Sequence, residues 1–286
     1  MLSAVKQLGK FATGTLYLGV AAALPMSAQA DDLTYYLPPS EVVWLSADAA
    51  AVQTADAHDQ ATPQRILMLQ RENEQAADRG HLLVVAELGT HPLQSSLLRH
   101  WYQGMPAYGW HTYAMQAPLL QVNDVEWNAE IATRYSPAND IQFLLDAMRA
   151  RLVLALQHIE QAEGTLILIS EGVSGALITQ LLHQGEFAQV DALVVVGSYF
   201  PQQQLNTTLT TQTAQLKLPV LDIIPARQQP WVAQQSKRRV QQSQRHQQPS
   251  FRQRVLVAQP VATQPRYLHH ELYGWLRHLE DTLRTP

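Results

Sequence analysis

Short apolar runs recur along the chain and are spaced by polar or helix-periodic stretches. Glu41-Val-Val-Trp-Leu45, Arg65–Leu69, His81–Ala86 and Gly109–Met115 are each of strand length, and the last alternates along its length. From Asn139 the period changes. Ile141, Leu144, Leu145, Met148, Leu152, Ala155, Leu156 and Ile159 follow i, i+3, i+4, i+7 and predict one long helix. Asn139 with Gln142 three residues on can open it, and Gly164 can close it. Thr165–Ile169 is the next strand, followed by a Gly/Ser corner and a helix to about His183. Ala192–Val196 and Pro219–Ile224 follow as strands, with a polar helical segment between them. A Gln/Arg-rich helix is predicted from Trp231 to Gln247, a last strand at Arg254–Val257 and a last helix at Tyr267–Leu283.

Apolar runs of four to six residues, each followed by a helix, are the pattern of a parallel sheet covered on both faces. The first two strands are joined without a helix, which makes that edge antiparallel. The expectation is an α/β fold: a single domain with a mostly parallel central sheet of about eight strands and helices on both faces. The 46–64 segment is rich in Ala, Asp and Gln and is expected to be an exposed loop.

The first thirty residues change the picture of where the domain begins. Lys6 and Lys10 precede an apolar run from Phe11 to Leu24, and Ala28-Gln29-Ala30 fits a small-residue cleavage site. Residues 1–30 are expected to be a signal peptide, with the domain over 31–286. The 286 residues include no cysteine, which excludes a disulfide framework, a lipidated cysteine and a thiol nucleophile. No later run is long enough to span a bilayer. An exported chain of this kind is expected in the periplasm.

Charge adds an asymmetry. Residues 31–222 carry 8 Lys/Arg against 21 Asp/Glu, whereas residues 223–270 carry 8 Lys/Arg and no acid. Lys237, Arg238, Arg239 and Arg245 lie on one predicted helix, so an anionic envelope component is a candidate partner there. Nucleic acid is not an expected partner of an exported chain.

Strand order and the corner after the fifth strand resemble the α/β-hydrolase fold over nearly the whole domain. More narrowly, the chain resembles an uncharacterised family of exported α/β-hydrolase-like proteins of Gram-negative bacteria. The residues that carry this are Glu171–Ala176, Pro219-Val-Leu-Asp-Ile223, the Arg-rich helix after Trp231 and Gly274-Trp-Leu276. The resemblance implies a fold and a place for each catalytic group, but no substrate.

In that fold a G-x-S-x-G elbow follows the strand. Placing Ser170-Glu-Gly-Val-Ser174 on the motif puts Gly172, which can adopt strained angles but has no side chain, at the nucleophile. The rival placement, Gly172–Ala176, makes Ser174 the nucleophile and requires the strand to run on through Ser170 and Glu171. The first is favoured here, because a glutamate is a poor end for a buried strand. The acid is due just past Ile224, where Gln228 and Gln229 stand; Asp222, inside the strand, is the nearest carboxylate. A histidine is due around Pro260–Thr263, and none is present; His269 and His270 come later and open the last helix, with His270 the weak candidate for the base. The backbone N–H groups of Val173 and of the Leu88-Gly89-Thr90 loop correspond to the oxyanion hole.

Without nucleophile, acid and base in register, Gly172, Val173, Gly89 and Thr90 suit a binding cleft for a small carbonyl or anionic ligand. The eleven histidines form no H-E-x-x-H, and neither a Walker A loop nor G-x-G-x-x-G is present, so no metal and no cofactor are implied. The sequence therefore predicts a periplasmic hydrolase-fold protein with a degenerate triad and a binding or envelope-associated role. The alternative is a serine esterase or acyl hydrolase using Ser174.

Overall fold

A computed structural model of the chain describes Thr34 and residues 37–46, 65–119, 137–159, 164–248, 250–256 and 265–283. The expected signal peptide, nearly all of the 46–64 loop and Pro260–Thr263 lie outside them. Eight strands form one sheet: β1 Val42–Leu45, β2 Ile66–Arg71, β3 Gly80–Val85, β4 Trp110–Met115, β5 Thr165–Glu171, β6 Ala192–Val196, β7 Val220–Ile224 and β8 Phe251–Val255. Their order is β1-β2-β4-β3-β5-β6-β7-β8. β2 runs antiparallel to both of its neighbours, and every pairing from β4 through β8 is parallel.

The described helices are α1 Ser96–Gly104, α2 Pro137–Ile159, α3 Gly172–His183, α4 Gln203–Gln215, α5 Pro230–Arg245 and α6 Pro265–Leu283. α1 was not singled out by the periodicity of its stretch. Its start is set by Ser95, whose side chain accepts from Leu98 N–H, and it buries Leu97, Leu98, Trp101 and Tyr102 against the sheet. The apolar stripe of α2 is seated as its spacing predicts, with Leu145, Met148, Leu152, Ala155, Leu156 and Ile159 buried.

Two cores result, one on each face of the sheet. One joins α2, α3 and α4 to residues such as Leu83, Leu168 and Val195; the other joins α1 and α6 to Leu82, Ile167 and Val194. Consecutive residues of β3, β5 and β6 thus serve opposite cores, which is why these strands are apolar throughout instead of alternating. Gly80 is required at the start of β3: a Cβ there would meet Thr165 O at 2.2 Å.

Two strand boundaries differ from the sequence expectation. β8 pairs with β7 over Phe251–Val255, ahead of the apolar Arg254–Val257 run, with Gln253 opposite Asp222. As an edge strand it stays half exposed and so accepts polar residues. β5 also runs past Ile169 through Ser170 and Glu171, because both residues continue the pairing with β6. Among the described residues no helix is long and apolar enough to cross a membrane.

Candidate functional site

The carboxyl ends of β3 and β5 meet at the corner where β5 passes into α3 without an intervening loop. Glu171 ends the strand in an extended conformation, and Gly172 begins the helix at φ +59°. That left-handed angle is tolerated by glycine and costly for a residue with a Cβ. The sharp turn is therefore at Gly172, although the strand reaches Glu171. Ser174 is the third residue of the helix, fully buried, and its hydroxyl has no hydrogen-bond partner among the described residues.

The space above Gly172 is filled by a residue that the sequence reading did not single out. Glu87 leaves the end of β3 and turns its carboxylate into the corner. Val173 N–H donates to Oε1 at 2.9 Å and to Oε2 at 3.0 Å, and Leu88 N–H donates to Oε1 at 2.9 Å. A Cβ on Gly172 would come to 1.3 Å from Glu87 Oε2. Glu87 is thus a long-range cap on α3, whose own N-cap residue, Glu171, makes no side-chain cap bond. The first-turn amides that correspond to an oxyanion hole are held by the protein's own carboxylate.

A second carboxylate stands beside the first. The buried Oε2 of Glu171 has no hydrogen-bond partner among the described residues. Burial pushes the Glu171 carboxyl above the ordinary glutamate value, and the Ser95 hydroxyl opposes this. Burial also raises Glu87; its amide donors oppose this, and the like charge of Glu171 adds to it. Tyr199, raised mainly by its own burial, is also raised by the Glu87 charge.

These contacts correct the expected binding cleft at Val173, Gly89 and Thr90. The Val173 amide is taken by Glu87. Gly89 N–H donates to Pro118 O at 3.1 Å, and Thr90 N–H to Glu87 O at 3.1 Å. Two surface grooves lie away from the corner. One of about 410 Å³ is flanked by Phe251, Arg252 and Trp275, and one of about 550 Å³ by Leu182, Phe187 and Leu216.

The remaining triad candidates are dispersed. Asp222 is fully buried in β7, where Arg239 Nη1 donates to Oδ1 at 2.9 Å and Gln253 Nε2 to Oδ2 at 2.8 Å. Both of its oxygens are thus committed, so it does not serve as the acid of a triad. His270 is exposed on α6, and His269 stacks on His100 with its Nε2 2.9 Å from His100 O. Neither histidine reaches Ser174 Oγ, which has no hydrogen-bond partner among the described residues. Gln228 and Gln229 are exposed at the end of β7.

Arg239 is also a correction. It was expected on a basic surface, but it is fully buried, donating to Asp222 and, through Nη2, to Ser198 O at 2.6 Å. The inward face of α5 carries Val232, Gln235, Arg239 and Ser243, and this phase turns Lys237, Arg238 and Arg245 to solvent. Among the described residues no group of His, Cys, Asp or Glu could hold a metal ion.

The fold is similar to that of Est1E from Butyrivibrio proteoclasticus, at TM-score 0.54 and 6% identity, covering 85% of this chain and 99% of that one. It is similar to a dienelactone hydrolase from Anabaena variabilis, at TM-score 0.54 and 13% identity over 83% and 98% of the two chains. An esterase from Pyrococcus furiosus aligns at TM-score 0.53 and 10% identity over 84% and 90%. These likenesses establish the α/β-hydrolase fold. Comparison with curated proteins finds no match. Residues 126–278, more than half of the chain and spanning α2 to α6, match the family described as "Protein of unknown function (DUF3530)", and the chain belongs to that family.

Proposed function

We propose that this protein keeps the α/β-hydrolase scaffold without its serine chemistry and acts as an exported, non-catalytic binding protein of the cell envelope. The observation that carries the reading is the Glu87 carboxylate, seated over Gly172 and on the Val173 and Leu88 amides. A serine hydrolase needs a nucleophile at that turn and vacant amides beside it for the charge that develops on the substrate oxygen. Here a glycine and a filled amide pair stand in those places. Ser174, the other candidate nucleophile, is buried and bonds to no base among the described residues. Placement in the periplasm rests on the pattern of residues 1–30.

The binding role is supported by the exposed face of α5. Lys237, Arg238 and Arg245 share it with glutamines, and residues 223–270 contain no acid. Such a face attracts an anionic envelope component, and the attraction fades with salt.

Treatment with a fluorophosphonate serine-hydrolase probe tests the first half of the reading. The protein is expected to remain unlabelled while folded. Stoichiometric labelling that disappears in Ser174→Ala would overturn the reading and establish the esterase instead. For the second half, K237E/R238E/R245E is expected to weaken binding to anionic vesicles made from envelope lipids at low salt. Unchanged binding would remove α5 as the contact.

A further inference from the structure

We infer that the outer edge of β8 receives an acidic, extended segment of a partner protein as a further strand of the sheet. This surface is distinct from the α5 face proposed above, and the inference does not depend on that reading.

The sheet ends at β8, which pairs with β7 alone among the described strands. The register fixes which backbone groups are left over. Ser250 O accepts from Val220 N–H at 3.2 Å, and Leu256 N–H donates to Ile224 O at 2.9 Å. Residues of a strand address its two sides in turn, so Arg252 and Arg254 also turn their backbone groups to β7. The N–H and C=O groups of Phe251, Gln253 and Val255 therefore point away from the sheet, where no described strand meets them. Such a row is a template for another chain. Val255 is 63% exposed. At the start of β8 the groove of about 410 Å³ beside Phe251, Arg252 and Trp275 has room for a side chain of the added strand.

The side chains select the partner. Gln253 turns to the α5 side, where it donates to Asp222 and to Ser236 O. Arg252 and Arg254 share the opposite face. Arg254 lies 3.3 Å from Glu271 of α6, whereas Arg252 has no ion pair among the described residues. Residues 223–270 contain no acid, so this edge carries positive charge in excess. A second copy of β8 is a poor occupant for that reason. Antiparallel pairing through the outward groups, centred on residue 252, 253 or 254, sets arginine directly against arginine. A strand with acidic residues at alternate positions meets the same arginines with opposite charge.

The experiment follows fluorescence anisotropy of a labelled short peptide of alternating glutamate and valine, titrated with the purified full chain. A lysine–valine peptide and a backbone N-methylated glutamate–valine peptide serve as comparisons. The glutamate peptide should bind and the lysine peptide should not. N-methylation should weaken binding at least about tenfold, because it removes the edge hydrogen bonds and keeps the charge. Val255→Pro removes one outward N–H and leaves the β7 pairing in place, so it should weaken binding about three- to tenfold with little change in melting temperature. Arg252→Glu should abolish the preference for glutamate over lysine. Failure of the glutamate peptide to bind, or equal binding of its N-methylated form, would overturn the inference. If Val255→Pro does not fold, the N-methylated peptide decides. Self-association of the chain that Val255→Pro abolishes would assign the edge to a second copy instead. K237E/R238E/R245E should still discriminate against the N-methylated peptide; loss of that discrimination would place the contact on α5, so either proposal can fail alone.

Discussion

A fully buried acid inside β7 and a half-buried acid just beyond β3 are satisfied in opposite ways. Asp222, in β7, is neutralised by the Arg239 guanidinium and bonded by Gln253. Glu87, beyond β3, pairs with no cation among the described residues and is held by backbone N–H groups beside a second acid. The first arrangement is a closed circuit of charge, which costs much to break and offers nothing to a ligand. The second sets two acids side by side at the elbow with no cation paired to them among the described residues.

The comparison can be broken most forcefully on the Arg239 side. Arg239→Met should destabilise the protein by about 3–5 kcal/mol, since it strands a fully buried carboxylate. Joining it with Asp222→Leu should recover most of that loss, and chemical denaturation of both variants measures it. If the single variant unfolds no more easily than the parent, Asp222–Arg239 is not the closed pair described here.

On the elbow side, Gly172→Ala should cost about 2–4 kcal/mol. It combines an unfavourable left-handed angle with eviction of the Glu87 carboxylate. The loss should shrink when Glu87→Ala is added, because the collision is then gone; strict additivity would show that the two residues do not meet.

Gln253→Ala sharpens the contrast at smaller scale. Removing one neutral donor from Asp222 should cost about 1–2 kcal/mol, well below the Arg239 effect, because the guanidinium remains.

The mildest test is Glu171→Gln, followed by melting temperature against pH. The folded protein holds Glu87 and Glu171 above the ordinary glutamate value of 4.5, so it binds more protons than the unfolded chain once pH exceeds that value. The stability that this contributes is present below about pH 4.5 and is lost as pH rises through the raised values. Glu171→Gln removes one of these acids and relieves the other. Its advantage over the parent should be small in acid and should grow toward neutral pH. A constant difference across pH would mean that Glu171 carries no proton-linked strain.

The legibility of these two regions in the sequence differed for a physical reason. The corner at Gly172 could be located because a short apolar run followed by a glycine that opens a helix is a local signal. The strand end could not: Glu171 and Ser170 continue β5 because β6 offers them hydrogen bonds, and residue preference does not record that offer. Arg239 was misplaced because three consecutive cations, Lys237 to Arg239, look alike in sequence, although the helix turns only one of them inward. The polar residues at Gln235 and Ser243 concealed which face that was. Glu87 left no mark at all, since its partner amide at Val173 lies 86 residues away.

What the sequence determined by itself was the chain order of the strands and of the described helices other than α1, the two-faced burial of the central strands, and the position of the turn at Gly172. These follow from hydrophobic period and glycine's backbone freedom, which act over a few residues. The tertiary structure decided which acids are neutralised, which cations are buried, and that the elbow amides are occupied. Those outcomes depend on charges and hydrogen-bond donors brought together from distant segments, and such distances are fixed only when the sheet has assembled.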